Sequence, residues 1–155
     1  SDVSYIDEIM PENSKNDAWV EIPRYETCFV CGKDNECGLN LSFAARGREI
    51  RTLWTPQERH CGYSGVVHGG VISAVLDEIM GWAGWLHYRK YYLTAELTVR
   101  FKKPVRAGEE YSVRAELTRT TRKIYQSEGW IEDDSGVLHA SGSGKFVVRS
   151  GLERT

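Results

Sequence analysis

The pattern of apolar and polar residues predicts several strands around one apolar helix. From Leu39 the segment LNLSFAA alternates between the two classes, a turn at Gly47 follows, and REIRTLW resumes the alternation. This pattern predicts a β-hairpin that ends at Pro56. From Gly69 to Trp85 the chain is apolar almost all round, which indicates a helix buried on most of its sides.

Strands resume after this helix. Residues 95–101 and 111–118 alternate strictly, and residues 123–132 and 137–149 supply two more strands, joined by turn-forming residues. Helix and strands are segregated along the chain, so the predicted fold class is α+β, with one long helix wrapped by a curved antiparallel sheet. Residues 1–27 are polar and irregular, and we interpret them as an N-terminal arm to a domain at 28–150.

The composition narrows the class of protein. A chain of 155 residues, 41% of them hydrophobic, forms one domain with a core that needs no disulfide or metal. Its 20 basic and 22 acidic residues leave a net charge of −2, which argues against a nucleic-acid partner. Acidic residues near the start argue against a signal peptide, and charges interrupt the longest apolar stretch, so we expect a cytoplasmic protein without a membrane partner.

Asp77 is the most informative residue of the helix. A carboxylate on an apolar helix is costly to bury unless it has a hydrogen-bond partner or a chemical task. It is therefore either a structural carboxylate or a catalytic one, and Glu78, about 100° round the helix, is the rival candidate. Helical spacing predicts that a ligand or a second subunit approaches Asp77 along a stripe of small residues: Gly70, Ser73, Gly81 and Gly84.

The helix begins with His68-Gly69-Gly70. Unpaired amides of a first helical turn, at the positive end of the helix dipole, can polarise a carbonyl or hold an anion. A tight turn into the helix would also explain the two glycines. Together with Asp77 two turns later, these amides form the pair that acyl transfer needs, an oxyanion donor and a nucleophile or general base.

Three segments resemble a known family: GYSGVVHGGVISAVLDEIMG at 62–81, LTVRFKKPVRAGEEY at 97–111 and the small-residue strand HASGSGKFVV. They are similar to the hotdog-fold acyl-CoA thioesterases of the phenylacetate-pathway type, over roughly residues 28–149. The resemblance implies hydrolysis of an acyl-CoA thioester, with coenzyme A as part of the substrate and no separate cofactor. It also implies a homodimer or a dimer of dimers, with active sites at the subunit interface.

The resemblance assigns roles to individual residues. The acidic catalytic residue falls on Asp77, nine positions after His68, and the amide that polarises the thioester carbonyl falls on Gly69. A hydroxyl that orients water falls near Thr94, although strand parity puts this residue on the outward face. Many relatives carry Asn where this chain has Gly62, so one polar contact is missing. Three residues are candidates to replace it: His60, His68 and Glu78.

Two other functions stay open at this stage. The missing Asn is consistent with a non-catalytic protein that binds acyl-CoA or regulates its use, and an enoyl-CoA hydratase is a weaker alternative. The phosphates of coenzyme A need basic partners. Among the basic residues near strand ends we favour three as substrate-binding candidates: Arg119, Arg122 and Lys123.

The cysteines raise the question of a metal. Cys28-x-x-Cys31-Gly, with Cys37 and either Cys61 or His60, has part of the pattern of a zinc knuckle. A second closely spaced pair is missing. We therefore expect buried free thiols in a loop and no metal.

Overall fold

The computed structural model describes residues 18–88 and 90–149. Within them the long helix α1 spans Gly69–Tyr88, and a short 3-10 turn spans Glu58–His60. The strands of these residues are β1 Val20–Glu21, β2 Ala44–Arg46, β3 Glu49–Trp54, β4 Cys61–Tyr63, β5 Val66–Val67, β6 Tyr92–Phe101, β7 Tyr111–Thr120, β8 Ile124–Asp133 and β9 Leu138–Val148.

Seven of these strands form one antiparallel sheet in the order β1-β2-β3-β7-β8-β9-β6. β7, β8 and β9 form a meander, and β6 returns from α1 to pair with β9 at the edge. The remaining strands, β4 and β5, pair as a separate short ribbon that leads directly into α1. The ribbon therefore fixes where the helix begins.

α1 packs across the sheet and supplies the centre of the core. Its Val75, Leu76, Ile79 and Met80 are fully buried. Small residues in the strands let the helix approach, since a Cβ atom at Gly129 would lie only 3.1 Å from the Met80 side chain. Close packing of this kind is a main source of stability in a domain of this size.

The structure confirms the predicted fold class, the hairpin, the helix and the four later strands. The helix extends three residues beyond the predicted end, to Tyr88. Residues 1–17 of the expected N-terminal arm lie outside the described residues, whereas Val20–Glu21 of that arm pair with β2 as an edge strand of the sheet. The described part of the chain contains no helix long and apolar enough to cross a membrane.

Candidate active site

The start of α1 is held by His68. Nδ1 of the His68 ring accepts a hydrogen bond from the Gly70 amide at 2.8 Å. The backbone carbonyl of His68 accepts hydrogen bonds from the Val71 amide at 3.0 Å and from the Ile72 amide at 3.2 Å. Among the described residues, the Gly69 amide has no acceptor. One first-turn donor is thus left for a ligand, at the positive end of the helix dipole.

A pocket of about 490 Å³ lies at this end of the helix and is lined by Gly69. Its walls include the exposed aromatic rings of Tyr63 and Phe101 and the exposed residues Lys102 and Lys103. The Phe101 ring lies 3.4 Å from the position of a Cβ atom at Gly69, so the amide lies beside an aromatic wall. The pocket therefore combines apolar surface, one free amide and two cationic side chains.

Asp77 and Thr94 form the second part of the site. The Thr94 hydroxyl donates a hydrogen bond of 2.7 Å to Asp77 Oδ1. The sequence predicted an outward-facing Thr94, but the register of β6 and β9 shifts between Thr94 and Glu96, where a bulge adds one residue. Thr94 consequently lies opposite the buried Phe146 and faces the helix.

Glu78 lies in a different environment from Asp77. Its Oε1 accepts hydrogen bonds from Trp82 Nε1 at 3.0 Å, Cys28 Sγ at 3.3 Å and Cys31 Sγ at 3.4 Å. The interaction with the Cys31 side chain lowers the pKa of Cys28 to about 5, and the same interaction, together with burial, raises the pKa of Cys31. Glu78 does not line the pocket at the helix start.

The remaining candidates near the helix start have distinct positions. Gly62 lines the pocket, and a Cβ atom there would lie 3.4 Å from the His68 ring. Gly70 is exposed beside the same ring. His60 is half-buried, and no described residue hydrogen-bonds its ring nitrogens. Burial, aided by the charge of Arg59, lowers the pKa of His60.

The stripe of small residues is not the open surface that the sequence predicted. A Cβ atom at Gly81 would lie 2.3 Å from the Tyr92 ring, and one at Gly84 would lie 1.9 Å from the Tyr125 ring. The chain's own tyrosines therefore cover this half of the stripe. The Ser73 hydroxyl donates to the Gly69 carbonyl at 2.8 Å, within the helix.

Within one chain, the favoured basic residues lie near the opposite end of the helix from this pocket. Arg119 lies at the end of β7, and Arg122 and Lys123 lie in the turn to β8. The Tyr88 hydroxyl, in the last turn of α1, donates to the Thr121 carbonyl in that same turn. The basic residues that line the pocket within one chain are instead Lys102 and Lys103, which precede Pro104.

Comparison with known proteins agrees with this architecture. A sequence model of the thioesterase superfamily matches residues 64–140. An uncharacterized protein of Schizosaccharomyces pombe is 29% identical over 111 residues, which cover 68% of this chain and 63% of the relative. The crystal structure of RHA08564, a thioesterase superfamily protein, is 25% identical with a TM-score of 0.74 and covers 79% of this chain. This chain spans 63% of the length of that protein too.

Two further solved structures are similar at lower identity. Thioesterase superfamily member 2 of Mus musculus is 18% identical with a TM-score of 0.61, over 68% of this chain and 84% of its own. The E. coli PaaI protein from the phenylacetic acid degradation operon is 16% identical with a TM-score of 0.66, over 74% of this chain and 83% of its own. Similarity at this level shows the fold alone. The long helix wrapped by an antiparallel sheet is the hotdog fold, and residues 64–140 of this chain match the sequence model of the thioesterase superfamily.

Proposed function

We propose that this protein hydrolyses an acyl-CoA thioester to a carboxylic acid and coenzyme A. The observation that carries the proposal is the Gly69 amide, which lines the pocket at the positive end of α1 and to which no residue in the described part of the chain offers an acceptor. An amide in this position stabilises the negative charge that develops on a thioester oxygen as its carbon becomes tetrahedral.

Asp77 supplies the second half of the reaction. As a general base it takes a proton from water, whose oxygen attacks the thioester carbon, or it attacks this carbon directly as a carboxylate. The carbon–sulfur bond then breaks and the thiolate leaves. In the first route it takes up the proton that Asp77 received from water; in the second, water hydrolyses the acyl–Asp77 anhydride, which frees the carboxylic acid and supplies the proton to the thiolate. The Thr94 hydroxyl fixes the orientation of the carboxylate through the 2.7 Å hydrogen bond.

Gly69 and Asp77 of one chain do not act on the same thioester. Asp77 lies more than two helical turns beyond Gly69 in α1, about 12 Å along the axis at the usual rise per residue. Catalysis needs reacting groups within about 3–3.5 Å of each other. We therefore propose a homodimer in which Gly69 of one subunit and Asp77 of the other meet at a shared active site.

The lysines of the pocket favour coenzyme A as the leaving group. Lys102 and Lys103 are exposed beside the free amide. Ammonium groups at a pocket mouth attract the phosphates of coenzyme A. The apolar walls at Tyr63 and Phe101 suit an acyl chain or an aromatic ring.

The test is thiol release from a panel of short, long and aromatic acyl-CoAs. Asp77→Asn keeps an oxygen that accepts from Thr94 but removes the base, so we expect turnover to fall by a factor of about 100 or more. Asp134→Asn, in an exposed turn, serves as the control with full turnover. If Asp77→Asn releases thiol as fast as the unsubstituted protein, Asp77 is not the catalytic residue.

Gly62 supports a second candidate function, a non-catalytic protein that binds acyl-CoA. The family resemblance leads us to expect an Asn side chain beside His68, and with Gly62 at this position the pocket lacks that amide group. Such a protein would bind acyl-CoA with a fixed stoichiometry and release no thiol over hours. The same panel, followed by calorimetry and by thiol release, separates the two functions.

A further inference from the structure

The segment around Cys28 and Cys31 brings three metal-binding side chains together. Cys28 Sγ, Cys31 Sγ and a carboxylate oxygen of Glu78 all lie within 4.8 Å of one another. Cys31 is fully buried and Glu78 is 8% exposed, whereas Cys28 is half-buried. The third member comes from the middle of α1, far from the cysteines in sequence.

The backbone around the cysteines has the form of a metal-binding knuckle. The Cys31 amide donates to Cys28 Sγ at 3.4 Å, and the Gly32 amide donates to the Cys28 carbonyl at 2.9 Å. A Cβ atom at Gly32 would lie 2.4 Å from the Cys28 carbonyl oxygen, so only glycine fits this turn. The tight turn thus holds both sulfurs on the side that faces the helix.

The distances suit a tetrahedral ion. Zinc binds sulfur at about 2.3 Å and carboxylate oxygen at about 2.0–2.2 Å, which separates sulfur from oxygen by roughly 3.5–3.7 Å in a tetrahedral site. The two sulfurs lie 3.3 and 3.4 Å from Glu78 Oε1. An ion is therefore accommodated by an expansion of a few tenths of an ångström.

The chemistry of the cluster also favours a cation. Cysteine sulfurs and carboxylate oxygens are ligands that zinc-type divalent ions bind in proteins. A divalent ion bound by two thiolates and this carboxylate neutralises most of their charge. The Trp82 indole, which donates to Glu78 at 3.0 Å, then fixes the orientation of the ligand.

We infer that Cys28, Cys31 and Glu78 form a binding site for a thiol-preferring divalent cation of the zinc type. The fourth position belongs to water, which reaches the site from the half-buried Cys28. The ion ties the loop of the cysteines to α1 and is structural. This inference rests on the cysteine cluster and stands independently of thioester hydrolysis.

Cobalt is the probe for this site, because thiolate ligands give bound Co²⁺ a charge-transfer absorption in the near ultraviolet. The full chain, reduced and treated with chelator, is titrated with Co²⁺ and then with Zn²⁺. We expect one Co²⁺ per chain, the thiolate absorption, and its loss as Zn²⁺ displaces Co²⁺. Absence of the thiolate absorption in the reduced protein would overturn the inference.

Substitutions identify the ligands. Glu78→Gln keeps the shape of the side chain and an oxygen for Trp82, yet we expect at least tenfold weaker binding, as for Cys31→Ser. Cys37→Ser, at an exposed cysteine outside the cluster, leaves the affinity unchanged. If Glu78→Gln binds Co²⁺ with the original affinity, the helix does not contribute a ligand. If Cys37→Ser loses as much affinity as Cys31→Ser, the ion binds elsewhere.

Thermal unfolding is a second measurement. Because an ion that binds only the folded chain stabilises it, Zn²⁺ should raise the unfolding temperature of the unsubstituted protein and of Cys37→Ser by several degrees. No rise is expected for Glu78→Gln. An equal rise in Glu78→Gln and in the unsubstituted protein contradicts a site that includes the helix.

Discussion

At the scale of single residues, the contact between Thr94 and Asp77 is the feature most directly open to test. A hydrogen bond to a charged group contributes about 1.5–3 kcal/mol, so loss of the Thr94 hydroxyl is expected to slow thiol release roughly 10- to 100-fold. Thr94→Val removes the donor at nearly constant volume. Thr94→Ser retains it and should keep most of the activity, as measured by kcat with saturating acyl-CoA.

The pair of variants distinguishes a positioning role from simple packing. If Thr94→Ser loses as much activity as Thr94→Val, the methyl group rather than the hydroxyl matters, and the hydrogen bond does not orient Asp77. The far-ultraviolet circular dichroism of both variants serves as the check of folding.

Some of these residues could be predicted from the sequence and others could not. The spacing from His68 to Asp77 and the two glycines singled out the start of the helix and the carboxylate. Strand parity failed at Thr94, because a one-residue bulge shifts the alternation and leaves no mark in a single sequence. The contact of Glu78 with Cys28 and Cys31 could not be predicted from the sequence either, because it depends on how a distant loop packs on the helix.

At the scale of elements, the turn between β8 and β9 depends on a single carboxylate. Asp133 Oδ1 accepts from the amides of Ser135 at 2.9 Å and Val137 at 3.0 Å, and Oδ2 contacts His139 Nε2 at 2.9 Å. The Tyr111 ring packs edge-on against His139. The hydrogen bond from His139, aided by the two amides, lowers the pKa of Asp133 below its usual 3.8.

The lowered pKa of Asp133 makes the stability of the fold depend on pH. The ionised carboxylate is favoured in the folded state, so its contribution is present above the usual carboxyl pKa and is lost as the pH falls through the lower, folded value. Asp133→Asn should therefore lower the urea midpoint at pH 7, and the difference from the unsubstituted protein should shrink below about pH 4. Urea unfolding between pH 3 and pH 7 measures both effects.

Asp134 provides the control for this prediction, because it lies exposed in the same turn. Asp134→Asn is expected to leave the urea midpoint nearly unchanged at every pH. If the urea midpoint of Asp133→Asn stays below that of the unsubstituted protein by the same amount down to pH 3, the stabilising effect of Asp133 does not depend on ionisation of its carboxyl group.

The elements themselves differed in how well the sequence predicted them. β7 alternates between apolar and polar residues from Tyr111 to Thr118, long enough for the period of two to stand out. β1 and β5 are two residues long and carry no period at all, so only tertiary pairing defines them. The strands of the β4–β5 ribbon, which sets the start of the helix, are likewise too short to show a period in the sequence.

At the scale of the whole molecule, the described part of one chain has an unpaired sheet edge next to half of the proposed active site. β6 pairs with β9 on one side, and no described strand pairs with its other side. Leu93 and Phe101, near the ends of this strand, are 49% and 54% exposed. An edge of ten residues with exposed apolar side chains is suited to pairing with a second copy. Thr94, the partner of Asp77, lies on this same strand.

A shared active site predicts that two inactive variants restore each other. Gly69→Pro removes the free amide, and proline is well accepted at the first position of a helix. Gly69→Ala keeps the amide, and its Cβ atom meets Phe101 at an ordinary 3.4 Å, so this variant should retain most of the activity. Loss of one oxyanion donor is expected to lower kcat about 100- to 1000-fold in Gly69→Pro.

Subunits of Gly69→Pro and Asp77→Asn are then mixed, unfolded and refolded together. Random pairing makes about half of the dimers hybrids, and each hybrid has one site with both residues intact, so about a quarter of the original activity should return. If each chain carried a complete site, mixing would restore nothing. Sedimentation of the mixture at micromolar concentration checks that dimers form, and a monomer there would contradict the shared site directly. Activity that returns only on mixing would place Gly69 and Asp77 on opposite subunits of one active site.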